Sequence, residues 1–153
     1  MSVIEWGTRL KDMSQLHPPD VWYELPSSSW GSVKNDFGIE RDDIMKKHYE
    51  LYGRKIVPER WRFNDFGPAA VRYFKDRNNN LRLDEDKGER LSGEMIHTTP
   101  ENEAQAATGK EVRLGPSHGC VHIRPQDRNT LLRMNAFKPG TPFVVHEYNE
   151  RVQ

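Results

Sequence analysis

Apolar positions follow two different spacings along the chain. Between residues 40 and 53 (ERDDIMKKHYELYG) they recur at one-turn intervals, which predicts a helix. Acidic residues at the start of this segment and Gly53 at its end suit the two termini of a helix. The residues of its apolar face are Ile44, Met45, His48, Leu51 and Tyr52. After Pro58 the apolar residues form short runs of strand length, separated by turn-forming residues.

These runs predict a mainly antiparallel β domain. The expected strands are 21–25 (within a loop-rich segment, 18–38), AAVRYFK (69–75), LRL (81–83), GEMIHTT as far as His97, CVHI (120–123) and TPFVVHEY (141–148). The turn DRNNN (76–80) is expected to join the second and third as a hairpin, because asparagine tolerates the left-handed conformation. PQDRNTLLRM (125–134) predicts a second helix with proline in its first turn. The regular strand–helix alternation of a parallel doubly wound sheet is absent.

The composition removes several functional classes. The 153 residues are the length of one domain, and Lys plus Arg equal Asp plus Glu at 23 each. A net charge of zero gives no electrostatic argument for binding nucleic acid or an anionic membrane. No segment approaches the roughly 18–20 apolar residues that span a bilayer. Glu5 and Arg9 interrupt the apolar run that a signal peptide needs, so export uses no leader of this chain, or a leader has been removed, or the protein stays inside the cell.

The chain contains a single cysteine, Cys120, within GPSHGCVHIRP (115–125). A thiol becomes a good nucleophile when a histidine takes its proton, and a preceding glycine lets backbone N–H groups approach a developing oxyanion. On a strand, His118, Cys120 and His122 would share one face. A base that addresses the thiol from across the site would come from another strand, and His97 is the candidate.

These segments resemble the catalytic domain of L,D-transpeptidases, the YkuD or ErfK type of bacterial peptidoglycan enzyme. The resemblance rests on IHTTP, followed by SHGCVHIRPQD and then KPGTPFVV, and covers roughly residues 93–148. Residues 67–92 are compatible with the preceding hairpin, so 67–148 is expected to be the catalytic core of a single domain spanning 1–153. Residues 1–66 have no assigned role. The implied fold is an antiparallel β-sandwich with one or two helices.

The resemblance implies a role for each residue of the motif. Cys120 would attack the bond before the terminal D-alanine of a tetrapeptide stem, and His97 would act as the base. The remaining implied catalytic and supporting groups are Ser117 and His118 in the pocket wall, the N–H groups of Gly119 and Cys120 as oxyanion donors, and the Thr98 backbone as a holder of the imidazole. This is acyl transfer to an amine or to water, with no metal and no cofactor. The polar segment ENEAQAATGKEV (101–112) is expected to alter a loop over the cleft.

One position departs from the family pattern. The family usually has Arg or Asn two residues after the cysteine, where this chain has His122. Arg124 lies two residues further along the predicted strand, and its fork could hold a substrate carboxylate. We therefore expect Arg124 to anchor the substrate and His122 to line the pocket. The alternative is that Arg124 flanks the helix that starts at Pro125 and faces solvent.

Other interpretations of the same residues remain open. A lone cysteine is often a small buried hydrophobic residue, and the histidines around Cys120 could ligate zinc with it. Asp76, Asn78 and Asn80 follow the first half of a calcium loop, but Leu81 and Lys87 stand where glycine and glutamate are expected, which favours a solvated turn. The run DEDKGER is likewise expected to be a solvated turn. His17, His48 and His146 are expected to be structural.

The sequence thus predicts a peptidoglycan L,D-transpeptidase, or an L,D-carboxypeptidase where water is the acceptor. Its partners would be peptidoglycan stem peptides, and its location the cell envelope, the periplasm or the medium. A secreted antibacterial effector of the same chemistry and a non-catalytic or metal-binding β domain are the alternatives. The sequence gives no indication of the oligomeric state.

Overall fold

The computed structural model describes residues 2–5, 24–26, 39–62 and 65–146. Their elements, in chain order, are β1 (Ser2–Glu5), β2 (Glu24–Pro26), α1 (Arg41–Tyr52), β3 (Arg60–Arg62), β4 (Ala70–Lys75), a 3₁₀ turn (Glu85–Lys87), β5 (Leu91–His97), α2 (Pro100–Ala107), β6 (Val121–His122), α3 (Pro125–Arg133) and β7 (Thr141–Phe143). His17 and the first residues of the strand predicted at 21–25 lie outside the described part of the chain.

The main sheet has five strands in the order β6-β5-β4-β1-β7, and β2 pairs with β3 in a separate two-stranded sheet. Neighbouring strands are antiparallel except β5 and β6, which run parallel with His97 opposite His122. The expected antiparallel sandwich with one or two helices needs correction. The sheet is mixed, and the described residues include three α-helices. The parallel pair arises because β6 follows β5 through α2 and a long connection rather than through a hairpin.

Local sequence signals set the two predicted helices. Helix α1 begins with a reciprocal capping box, in which Asp43 accepts from the backbone N–H of Glu40 at 2.9 Å, and it ends at Gly53 in the left-handed conformation. Helix α3 begins with Pro125 at its first position. Both predictions are confirmed. His48 is buried on α1, where its ring stacks on Tyr52 and its Nδ1 bonds the Arg54 carbonyl at 2.8 Å, as expected for a structural histidine.

The connection between β4 and β5 differs from the predicted hairpin. Residues 81–83 form no strand, and β4 pairs with β5 instead. Two carboxylates organise the loop, and both are buried: Asp76 (4% exposed) accepts from the N–H groups of Asn80 and Leu81, and Glu89 (2% exposed) from those of Arg77 and Asp84. The run DEDKGER is therefore only partly solvated. Hydrogen bonds from backbone N–H groups to a carboxylate are stronger than those between neutral groups, and they hold the loop in this form.

Apolar side chains pack on both faces of the sheet. Val71, Ile96 and Phe137 form one cluster, which α3 covers through Leu131. Ala70 and Met95 form a second cluster, with Phe66 and Cys120 packed against it. Consecutive residues of a strand point to opposite faces, which is why adjacent residues of β4 and β5 belong to different clusters. Cys120 therefore packs against the cluster that contains Met95. Met95 precedes His97 by two residues in β5.

A buried polar network joins α2 and α3 to the end of β5. The Thr98 hydroxyl, which is fully buried, donates to the Glu103 carboxylate, and the Arg128 guanidinium binds the same Glu103 oxygen. Gly67 lies against this network with a positive φ of 70°, and a Cβ there would clash with the Thr98 hydroxyl. The network thus requires a residue without a side chain at position 67.

Two further segments depart from expectation. The segment expected to be a loop over the cleft contains α2, for which Thr99 is the N-cap and accepts from Asn102 N–H at 3.2 Å. Asn102 then donates to the Arg113 carbonyl at 2.9 Å and so ties down the chain that leads to Cys120. The strand expected at 141–148 includes only Thr141–Phe143 of the described residues. Residues 147 and 148 lie outside them.

Replacing Arg128 tests the buried network. Arg128→Ala leaves the Glu103 carboxylate without its cation in a site where the two side chains are only 10% and 19% exposed. Removing one partner of a buried pair costs about 3–5 kcal/mol, so we expect the free energy of unfolding to fall by about 3 kcal/mol. Urea denaturation measures it. Arg133→Ala, on the exposed side of the same helix, is the control and should change stability by less than about 0.5 kcal/mol. Equal small losses in both variants would show that the pair contributes little.

Candidate active site

An open cleft of about 450 Å³ lies at the β5–β6 edge of the main sheet. It brings together five of the predicted site residues: His97, Ser117, His118, Cys120 and His122. The other lining residues are Asp65, Phe66, Gly93, Glu94, Thr99, Pro100, Glu101 and Pro116. A thiol and three imidazoles therefore share one solvent-accessible space.

His97 stands at the last position of β5 and is 4% exposed. Its Nδ1 lies 2.6 Å from the Thr98 carbonyl oxygen. A carbonyl only accepts, so Nδ1 carries the hydrogen, and the lone pair of the neutral ring is on Nε2. The edge-on contact with Phe66, at 5.0 Å between ring centroids, further fixes the ring. This is the tautomer that a base acting through Nε2 requires.

The environment of His97 disfavours its charged form. Burial lowers the pKa of His97 below its ordinary 6.5, and the neighbouring His122 lowers it further, while the hydrogen bond to Thr98 opposes both. The imidazole is thus neutral at pH 7 and able to accept a proton. A neutral histidine near the thiol is compatible with general-base chemistry.

His122 is the register partner of His97 across the parallel strands. The two rings meet edge-to-face at 4.8 Å, and His122 Nδ1 donates to the Gly115 carbonyl at 3.0 Å. As expected, His122 lines the cleft. His122 therefore contacts both the imidazole of His97 and the chain that precedes Cys120.

The loop before Cys120 is held by Ser117. Its hydroxyl donates to the Cys120 carbonyl, and the Gly119 N–H donates to the Ser117 oxygen at 3.3 Å. Gly119 has a φ of +131°, a conformation that strains any residue with a side chain. Strand β6 begins only at Val121, so His118 and Cys120 are not strand residues and the strand alternation does not position them. The loop brings them to the cleft instead.

Two of the predicted site residues, Thr98 and Arg124, are not among the residues that line the cleft. Thr98 is fully buried, and its contribution is the backbone carbonyl that holds His97 together with the hydroxyl bound to Glu103. Arg124 is the N-cap residue of α3, is exposed, and does not line the cleft. Strand β6 ends at His122, so the alternation that would aim Arg124 into the cleft does not extend to it.

Sequence reasoning missed two residues beside the thiol, Glu94 and Tyr73. The Tyr73 hydroxyl donates to Glu94 Oε2 at 2.7 Å. The pKa of Tyr73 is raised, mainly by burial and second by this hydrogen bond. A Cβ on Gly119 would lie 2.8 Å from the Glu94 carboxyl carbon, so the carboxylate rests against the Gly119 backbone. Only the parallel register, which places Ile96 opposite Val121 and thus Glu94 near Gly119, reveals this proximity.

No group of three or more His, Cys, Asp or Glu side chains within residues 2–5, 24–26, 39–62 and 65–146 is arranged to hold a metal ion. The described helices also include none long and apolar enough to cross a membrane.

The family model of the YkuD L,D-transpeptidase catalytic domain matches residues 10–145. The chain belongs to the YkuD family. No curated protein and no solved structure gives a significant match to it. The YkuD match confirms the resemblance carried by SHGC and the upstream histidine, and it extends well before residue 67 into the part for which the sequence indicated no role. YkuD domains act on peptidoglycan, which links this chain to the cell wall.

The environment of His97 gives a prediction about its titration. Because burial and His122 both disfavour the imidazolium, we expect His97 to titrate below 6.5 and to remain neutral through the physiological range. NMR titration of the imidazole C–H resonances, assigned with His97→Ala, measures this directly. In His122→Asn the loss of the neighbouring ring should raise the pKa of His97 toward 6.5. His146→Asn, at an exposed position outside the cleft, is the control. A value at or above 6.5 in the unaltered protein would contradict this account of the site.

Proposed function

We propose that the protein is a peptidoglycan L,D-transpeptidase with Cys120 as nucleophile and His97 as base. The observation that supports this most is the shared cleft, which is lined both by the only cysteine of the chain and by an imidazole whose Nδ1 is held by the Thr98 carbonyl. Nucleophile, base and a group that orients the base are the three components of an activated thiol site.

In the first half-reaction His97 Nε2 takes the proton of the Cys120 thiol. The thiolate attacks the carbonyl carbon of the L,D bond before the terminal D-alanine of a tetrapeptide stem. The N–H groups of Gly119 and Cys120 are the proposed donors to the tetrahedral oxyanion. The Gly119 N–H bonds the Ser117 hydroxyl at 3.3 Å in the free enzyme, a long contact that the oxyanion would replace. As the C–N bond breaks, His97 returns the proton to the departing amine, leaving a thioester.

In the second half-reaction an amine attacks the thioester. His97 removes a proton from that amine and gives one to the sulfur, which regenerates the thiol and forms the new amide. Where water attacks, the same steps release a carboxylic acid, and the enzyme acts as an L,D-carboxypeptidase. The cleft is open to solvent, so both acceptors can reach the acyl group.

Three side chains of the cleft wall support this chemistry. Ser117 holds the Cys120 carbonyl and so shapes the loop, His118 lines the cleft beside the thiol, and His122 packs on His97. His122 occupies the place where the family usually carries Arg or Asn, and the described wall has neither an Arg nor an Asn side chain. Because the substrate is cell-wall material, the enzyme would work in the envelope, the periplasm or the medium.

The nucleophile is tested with a purified tetrapeptide stem. The unaltered protein should release the terminal alanine, and Cys120→Ala should abolish the release, because alanine has no nucleophilic atom. Mass spectrometry of the peptide before and after incubation measures the loss. Thermal unfolding of Cys120→Ala shows whether the fold is retained. Turnover by a folded Cys120→Ala variant would refute the role of Cys120.

The base is tested with the same assay. His97→Ala should lower the rate by about 10²–10⁴-fold, the usual contribution of a positioned acid–base group. His146→Ala is the matched control, since this exposed histidine does not line the cleft. Similar rates for the two variants would assign the base to another residue.

A further inference from the structure

The permanent charges on the described wall of the cleft have one sign. The charged lining residues are Asp65, Glu94 and Glu101, and none of the described lining residues is Lys or Arg. Of the three carboxylates, that of Glu101 is partly neutralised, because its Oε1 lies 3.6 Å from the Nζ of Lys47. A wall of this kind favours a cationic group of the substrate over an anionic one.

Glu94 is the carboxylate of the cleft wall that lies against the loop of the nucleophile. It rests against the backbone of Gly119, the residue directly before the nucleophile. The Tyr73 hydroxyl holds its Oε2 at 2.7 Å, and no described Lys or Arg forms an ion pair with it. The Tyr73 hydroxyl thus orients the carboxylate, which has no cationic partner among the side chains that the structure describes and lines the same cleft as Cys120.

We propose that Glu94 is a specificity-determining residue that binds a primary ammonium group of the peptide substrate beside Cys120. The proposal rests on the proposed function and adds the chemical class that the cleft selects. The ammonium has two possible sources: a side chain of the acyl donor, or the acceptor amine before it loses its proton. In either case the carboxylate and the ammonium form a charge-assisted hydrogen bond next to the scissile carbonyl.

A reagent test is possible because Cys120 is the only thiol of the chain. Three methanethiosulfonates of similar size, cationic (ethylammonium), neutral (propyl) and anionic (ethylsulfonate), modify a thiol without any peptide turnover. Relative to a free small-molecule thiol, the unaltered protein should prefer the cationic reagent to the anionic one. Glu94→Gln, which keeps the shape and can still accept from Tyr73, should lower that preference about fivefold for a partly screened charge, and less in 1 M salt.

Two variants separate charge from structure. Tyr73→Phe removes the hydroxyl but leaves the carboxylate, and it should retain most of the cationic preference. Glu111→Gln, on an exposed glutamate outside the cleft, should leave the preference unchanged. An unchanged preference in Glu94→Gln would overturn the proposal. An equal loss in Tyr73→Phe would overturn it as well, because the effect would then come from the Tyr73–Glu94 hydrogen bond and not from the charge.

Peptide assays then identify the source of the ammonium. If it belongs to the donor, acetylating the side-chain amine of the tetrapeptide lowers kcat/KM for release of the terminal alanine in the unaltered protein but not in Glu94→Gln. If it belongs to the acceptor, Glu94→Gln shifts the acyl group from amine to water without changing that release. If turnover is intact and neither of these two differences between the unaltered protein and Glu94→Gln is found, the proposal is overturned. Absence of all turnover would refute the proposed function instead, and the reagent preference would still decide the role of Glu94.

Discussion

The position of His97 depends on a buried ionic contact that His97 itself does not touch. Arg128 on α3 and Glu103 on α2 meet at the Thr98 hydroxyl, directly after the end of β5. Charges removed from water are stable only when they are paired and hydrogen-bonded. The ion pair can therefore form only when α2, α3 and the end of β5 pack against one another. The backbone of Thr98 is thereby fixed, and its carbonyl in turn fixes the tautomer of the imidazole. The orientation of His97 thus depends on the packing of Thr98, Glu103 and Arg128, which do not line the cleft themselves.

The second constraint is the parallel pairing of β5 with β6. It is only two residues long on the β6 side, yet it places His97 opposite His122 and brings the preceding loop, with Cys120, against Glu94. Thiol, base and carboxylate come from two segments separated by α2 and a long connection. Asn102 donates to the Arg113 carbonyl, and the Arg113 N–H donates to the side-chain oxygen of Gln105. These two hydrogen bonds hold the connection on α2, which limits how far the thiol can move relative to the base.

The sequence predicts those parts of the fold that local signals determine. Helices α1 and α3 and the end of β5 at His97 were predicted because caps, prolines and apolar spacing lie within each segment. The hairpin through LRL was wrong, because Asp76 and Glu89 bind backbone groups several residues away and no spacing rule reports this. Helix α2 was missed although Thr99 and Pro100 are a usual helix start. Cys120 and His97 were predicted from motif residues, whereas Glu94 and Tyr73 become neighbours of the thiol only through pairing between strands.

Gly67 extends the active site beyond the residues that reach the cleft. Its missing side chain makes room for the Thr98 hydroxyl, and Thr98 orients His97. One added methyl group at position 67 would therefore act on the base through one intermediate residue, Thr98, while contacting neither the thiol nor a substrate. A variant of this kind could bind peptide normally and still be slow, and screening for defects at the cleft surface alone would overlook it.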